Sequence, residues 1–158
     1  MQKIMPFLWF NTEAEAAAKF YVSLFKDAKI IATTHFGEGA PQPAGLVMTV
    51  TFELAGLQFT ALNGGPQYKF SEAISLQIDC ADQDEIDHFW NKLTADGGQA
   101  GQCGWLKDKY GLSWQITPRD LPAMLSSDDA AASARVMQTM LPMKKLDLAK
   151  LKAAYAGT

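Results

Sequence analysis

Apolar and polar positions along this chain switch between a period near two and a period near 3.6, and the switches mark its elements. Residues 4–10 are apolar and bulky and read as a strand. The polar run Asn11-Thr12-Glu13-Ala14-Glu15 follows, with Thr12 and Glu15 at the spacing of a helix capping box. Over residues 14–25, Ala17, Phe20, Tyr21 and Leu24 recur at helical spacing, which predicts an amphipathic helix with one buried stripe. A strand over 30–36 comes next, then a Gly- and Pro-rich loop over 37–45. Two β-like runs, 46–54 and 57–62, flank Ala55-Gly56 and predict a hairpin. Asn63-Gly64-Gly65-Pro66 is a strong break that reads as a turn ending a strand, and 67–72 is a connector.

The second part of the chain repeats the first. Residues 73–80 read as a strand, Asp82 caps a helix with Glu85 in the box position, and Ile86, Phe89, Trp90 and Leu93 form its apolar stripe. Three short strands follow, over 99–103, 105–107 and 112–117. Thr12 matches Asp82 and Glu15 matches Glu85, both at an offset of 70, while Gly56-Leu57-Gln58-Phe59-Thr60-Ala61 matches Gly111-Leu112-Ser113-Trp114-Gln115-Ile116 at an offset of 55. Self-similarity of this kind predicts two tandem β-α-β-β-β modules, 1–66 and 67–118, better than an open parallel sheet. Beyond Pro118 the composition changes. Ser127-Asp128-Asp129 opens a helix reaching about Leu141, Pro142 interrupts, and a shorter helix covers 146–155, so 119–158 is a helical extension of the same domain. Its Met137, Met140, Leu141 and Met143 read as a flexible packing surface.

Composition narrows the function classes. A chain of 158 residues, 48% hydrophobic, is sized for one domain with a substantial core. A net charge of −3 with scattered Lys and Arg gives no footprint for nucleic acid. No apolar run is long enough to span a bilayer, and the N-terminus lacks the features of a signal peptide. Cys80 and Cys103 are far apart and show no metal-type spacing, which fits a reduced, cytoplasmic protein.

Several stretches carry a resemblance: the two-module layout, Asn63-Gly64-Gly65-Pro66, Cys103-Gly104-Trp105-Leu106-Lys107-Asp108, Tyr110-Gly111-Leu112-Ser113-Trp114-Gln115 and Met143-Lys144-Lys145-Leu146-Asp147. Together they resemble the PhnB-like group of the vicinal oxygen chelate, or glyoxalase/bleomycin-resistance, superfamily, a group that carries the label demethylubiquinone methyltransferase-type domain. The resemblance implies an α+β fold of paired βαβββ modules forming a cupped mixed sheet, plus C-terminal helices. Metal-using members of the superfamily place His, Glu or Gln in the cup. Carried over by position, those places fall at Met5, Thr60, Ala73 or Ser75, and Gln115, of which only Gln115 is a plausible ligand. No metal and no cofactor are therefore expected. A nucleotide-type methyl donor needs a Gly-rich strand-to-helix turn, and neither Phe10-Asn11-Thr12-Glu13 nor Cys80-Ala81-Asp82-Gln83 offers one. The resemblance, the usual two-fold symmetry of oligomers and exposed sheet edges together imply a homodimer.

Strand alternation assigns the faces. Leu112, Trp114 and Ile116 share one side of the last strand; Ser113, Gln115 and Thr117 share the other. Helices take the apolar sides, which leaves the mixed polar sides for a cup. The pocket candidates are Phe7, Trp9, Thr60, Ser75, Gln77, Cys103, Trp105 and Gln115: aromatic walls, hydroxyls and amides suited to a small organic ligand. Cys103, flanked by Gly104 and near Lys107 and Lys109, could instead be a nucleophile, and an enzyme of lyase, isomerase or dioxygenase-like type using Gln115, Gln77 or Cys103 is the alternative. Lys107 and Asp108 read as solvated turn charges.

Overall fold

A computed structural model describes residues 2–158, which fall into two compact units, Met1–Phe70 and Ser71–Thr158. In the first unit, β1 (Phe7–Phe10), α1 (Ala14–Leu24), β2 (Ala28–His35), β3 (Val47–Leu54) and β4 (Leu57–Asn63) form a four-stranded mixed sheet in the order β1-β4-β3-β2. β1 runs parallel to β4, and the other neighbours are antiparallel. The connection through α1 makes the parallel pair possible, and the tight turn at Ala55-Gly56, both with positive φ, closes the antiparallel one. Ala14, Ala17, Ala18, Tyr21 and Leu24 of α1 are buried together with Leu8, Phe10, Val50, Phe52, Leu54, Phe59 and Ala61 of the sheet. Phe52 and Phe59 stack at 5.5 Å between ring centres. Each such side chain contributes about 1.5–3 kcal/mol when fully buried. Tyr68 packs on Trp9 and Phe70 on Phe10 within this unit.

The second unit repeats this plan with β5 (Ser75–Cys80), α2 (Gln83–Thr94), β6 (Gln99–Ala100), β7 (Trp105–Lys107) and β8 (Ser113–Pro118), ordered β5-β8-β7-β6. β5 and β8 are parallel. Both modules of the α+β architecture are thus present as four-stranded mixed sheets. The repeat holds at the level of register. Phe7 lies opposite Thr60, and Gln77 lies opposite Gln115. The offset of 70 on the first strand and of 55 on the last are satisfied together. The strand expected over 99–103 shortens to two residues, since Cys103 and Gly104 both take positive φ and turn the chain.

The two helix starts differ. At α2 Asp82 caps as expected, its Oδ1 accepting from Glu85 N at 2.9 Å, while Glu85 Oε2 accepts from Ala81 N, one residue before the cap, at 2.6 Å. At α1 the Thr12–Glu15 box does not form, and Glu15 pairs with Lys19 at 2.7 Å. The buried amide of Asn63 takes over. Its Oδ1 accepts from Ala14 N and its Nδ2 donates to Val47 O, both at 2.9 Å. Because β4 runs parallel to the strand that feeds α1, its last residue reaches the helix start, and a buried partner outcompetes an exposed local cap.

Three helices complete the second unit: α3 (Leu121–Leu125), which the sequence pattern did not predict, α4 (Ala130–Met140) and α5 (Leu148–Ala156). Asp129 and Asp147 cap the last two. The chain between them is fastened to the module. Cys103 N donates to Met143 O at 2.8 Å and Gly104 N to Lys144 O at 2.9 Å. Gln83 donates to Leu146 O at 3.1 Å and accepts from Leu148 N at 2.8 Å. Gly104 must lack a side chain here, as a Cβ would stand 2.8 Å from Ile116 O. Among the described residues no helix is long and apolar enough to cross a membrane.

Removing the Asn63 amide leaves Ala14 N and Val47 O buried without that partner, so Asn63→Ala is expected to destabilise the protein by about 2 kcal/mol. Thr12→Ala is expected to change stability by less than about 0.5 kcal/mol. Urea denaturation of the two variants checks both.

Candidate functional site

The polar face of the second sheet is set by a buried carboxylate. Asp108, which the sequence alone suggests is a solvated turn charge, is only 2% exposed. Its Oδ1 accepts from Tyr110 N at 2.8 Å and Leu112 N at 3.1 Å, and its Oδ2 accepts from Trp114 Nε1 at 2.9 Å. A carboxylate taken out of water requires such donors, and these three tie the β7–β8 turn to the core-facing indole of Trp114. The register that results places Trp105 across from Gln115, and Lys107 across from Ser113.

With Leu112, Trp114 and Ile116 buried on the helix side, β5, β8 and β7 present two rows on the other side. One row is Gln77, Gln115 and Trp105; the next is Ser75, Ser113 and Lys107. Gln115 Nε2 donates to Ser75 Oγ at 3.0 Å. Gln77 Nε2 donates to Asp79 Oδ1 at 2.9 Å and to Thr117 Oγ1 at 3.1 Å. Lys107 pairs with Glu72 and holds that carboxyl below its ordinary range, chiefly through the hydrogen bond. Because the folded pKa is depressed, this link is in place at neutral pH and is lost as pH falls through that lowered value. Ser113 Oγ, in a residue 1% exposed, has no hydrogen-bond partner among the described residues. Four of the sequence candidates, Ser75, Gln77, Trp105 and Gln115, therefore come together. The sequence reading did not single out Ser113, Asp79 or Glu72 as site residues. The alternation of Ser113 with Trp114 already placed it on the polar side, but its orphaned hydroxyl is visible only once its neighbours are placed.

In the first unit, Phe7, Trp9 and Thr60 share one sheet face. Phe7 is exposed and Thr60 is buried, 3.5 Å from Thr51 Oγ1. Trp9 does more than form a wall. Its Nε1 donates to Gly65 O at 2.9 Å, its ring meets Tyr68 edge-on at 4.9 Å, and a Cβ on Gly64 would overlap it. Asn63-Gly64-Gly65-Pro66 thus caps α1 and seats Trp9 on a glycine.

Cys103 is not part of either face. Its Sγ lies 3.7 Å from Met140 O and 3.6 Å from Leu141 O, turned toward the end of α4. Cys80 is fully buried, and burial, helped by Glu85, Asp79 and Asp82, pushes its thiol up to about 12. Both cysteines are free. His35 is at the exposed end of β2 and His88 on an exposed side of α2. Among the described residues, no three His, Cys, Asp or Glu side chains gather as a metal-binding group. The positions that pair across first and last strands are Phe7 with Thr60 in the first unit and Gln77 with Gln115 in the second.

Only the thiolate reacts with alkylating agents. Iodoacetamide at pH 8 is expected to leave Cys80 unmodified in the folded protein and to modify it after denaturation, as read by peptide mass mapping.

Comparison with known proteins gives the same architecture. A family model described as 3-demethylubiquinone-9 3-methyltransferase matches residues 2–117, so α3 to α5 lie beyond it. A PhnB protein from Bacillus cereus is 36% identical, with 74% of this chain and 99% of that chain covered and a TM-score of 0.68. A Pseudomonas aeruginosa protein (19% identity, 75% and 98% covered, TM-score 0.61) shares the fold. So does a glyoxalase/bleomycin resistance protein from Albidiferax ferrireducens (15%, 73% and 96%, TM-score 0.50). No curated protein matches this chain. The repeated βαβββ register, the extent of the family match and the likeness to the Bacillus protein lead to one conclusion: the chain belongs to the 3-demethylubiquinone-9 3-methyltransferase family, a PhnB-like branch of the glyoxalase/bleomycin-resistance fold.

Proposed function

We propose that the protein binds a small organic molecule, without a metal, on the polar sheet face built by β5, β8 and β7. The observation that carries this reading is Ser113 Oγ, a buried hydroxyl with no partner among the described residues, in a row with Ser75 and Lys107 and beside the Gln77–Gln115–Trp105 row. An unsatisfied buried hydroxyl costs about 1–3 kcal/mol, which a ligand or an ordered water removes by bonding to it. Trp105 adds a half-exposed aromatic platform, and Phe7, Trp9 and Thr60 give the first unit a polar-aromatic face of similar make-up.

The activity in the family's description is methyl transfer, and the chain's own residues do not fit a nucleotide-type donor. The helix starts that follow β1 and β5 are closed by Asn63 and by Asp82 with Glu85, and no glycine opens either junction. The enzymatic alternative would draw on Gln115, Gln77 or Cys103. The amides are neither acids nor bases near neutral pH, and the Cys103 sulfur faces carbonyls, so binding is the better-supported reading. A cytoplasmic homodimer belongs to the same proposal. Its support is β2, an edge strand exposed along nearly its whole length, with Ile30 and Ile31 uncovered, since such edges are normally paired or blocked.

Two measurements test this. A fragment panel followed by amide NMR should yield compounds that shift residues of β5, β7 and β8, and elemental analysis of the purified protein should find no stoichiometric metal; a bound metal on these positions overturns the reading. Ser113→Ala is expected to leave stability unchanged or raise it by up to about 1 kcal/mol while weakening fragment binding, because it deletes an unsatisfied group. Light scattering is expected to give the mass of two chains, and a monomer alone contradicts the dimer.

A further inference from the structure

The orientation of the two amides on this face indicates what kind of molecule it takes. Asp79 can only accept hydrogen bonds when ionised, so the Gln77 atom 2.9 Å from its Oδ1 has to be the nitrogen. Thr117 Oγ1 donates onward to Ile78 O at 3.4 Å, and so accepts from Gln77 as well. With both donor directions of Gln77 turned to its neighbours, its carbonyl Oε1 has no partner among the described residues. Gln115 spends one Nε2 hydrogen on Ser75 and keeps its other N–H together with Oε1. The row therefore presents two carbonyl acceptors and one remaining N–H donor.

Charge points the same way. Lys107 is neutralised by Glu72, and Asp79 forms no ion pair among the described residues. Among the side chains of the two rows and Asp79, the Asp79 carboxylate is the one charge without an ion-pair partner among the described residues. Strand spacing sets the scale: Gln77, Gln115 and Trp105 stand on three adjacent strands, so the backbones that carry Trp105 and Gln77 are about 10 Å apart, two strand spacings. An aromatic ring resting on Trp105 would put a positive group three or four bonds away within reach of Gln77 and Asp79.

Resting on the binding reading above, we infer that the ligand class of this face is an arylalkylammonium: a planar aromatic group on Trp105 joined by a short chain to a protonated amine, which donates to the Gln77 and Gln115 carbonyls and faces the Asp79 carboxylate. Acceptor carbonyls, an uncompensated carboxylate and an aromatic surface are the three features that recognise such a cation.

The test uses a matched pair, 3-phenylpropylammonium and 4-phenylbutanoate, which share a three-methylene spacer and differ in the sign of the charge. Each is titrated into the full chain while the Trp105 indole and the Gln77 and Gln115 carboxamide resonances are followed by NMR. The ammonium is expected to shift all three saturably, and the carboxylate is expected to leave them in place. Asp79→Asn keeps an acceptor oxygen for Gln77 but removes the charge, and should raise the ammonium dissociation constant by about fivefold, with added salt doing the same to the parent protein. Preference for the carboxylate overturns the class while leaving the small-molecule reading intact. A titration in which neither compound moves the resonances overturns the class as well, and the fragment panel then decides the binding reading by itself. An unchanged ammonium affinity in Asp79→Asn overturns the role given to the carboxylate.

Discussion

A buried carboxylate that must find donors is the constraint on which the second module depends. Asp108 gathers two backbone N–H groups and the Trp114 indole within one turn, so the hairpin can close in only one register. A slip of one residue would turn Trp114 and Ile116 out of the core and carry Gln115 inward. The cost of such a slip is the burial of an amide without partners together with the exposure of two large apolar side chains, each worth a few kcal/mol. Every polar group on the opposite face takes its position from this turn, including the row of Gln77, Gln115 and Trp105.

The first module solves the equivalent problem with a different residue. Asn63 ends β4, caps α1 and satisfies Val47 O, so one amide joins three elements. The glycines after it have distinct uses: Gly64 admits the Trp9 ring, and Gly65 O accepts from its indole. In both modules a polar side chain near the last strand fixes the fold, and the apolar stripe of the helix supplies most of the burial.

Much of the fold was legible in the sequence because it rests on periodicity. The stripe Ile86, Phe89, Trp90 and Leu93 and the alternation of Leu112, Trp114 and Ile116 are burial patterns, and burial is what periodicity reports. The α1 cap was misread for the opposite reason. Thr12 and Glu15 have the right spacing, but the partner that wins, Asn63, is distant in sequence and arrives through parallel pairing. Asp108 was misread because a charged residue between two lysines looks solvated until Trp114 is placed above it. Half of the candidate site was visible as a polar parity on one strand. Ser113, Asp79 and Glu72 gained meaning only when the neighbours that satisfy them, or fail to, were in place. Cys103, prominent in the sequence between Gln102 and Gly104, faces the carbonyls at the end of α4 and leaves the polar face to the amides.

The most direct measurement of the central claim is a crystal structure of the purified protein, with anomalous data collected for transition metals. The account predicts organic density against Trp105, within hydrogen-bond reach of Gln115 and Ser113, and no anomalous peak on that face. A metal ion coordinated there, or a ligand seated elsewhere with Ser113 Oγ satisfied by the protein itself, would contradict it.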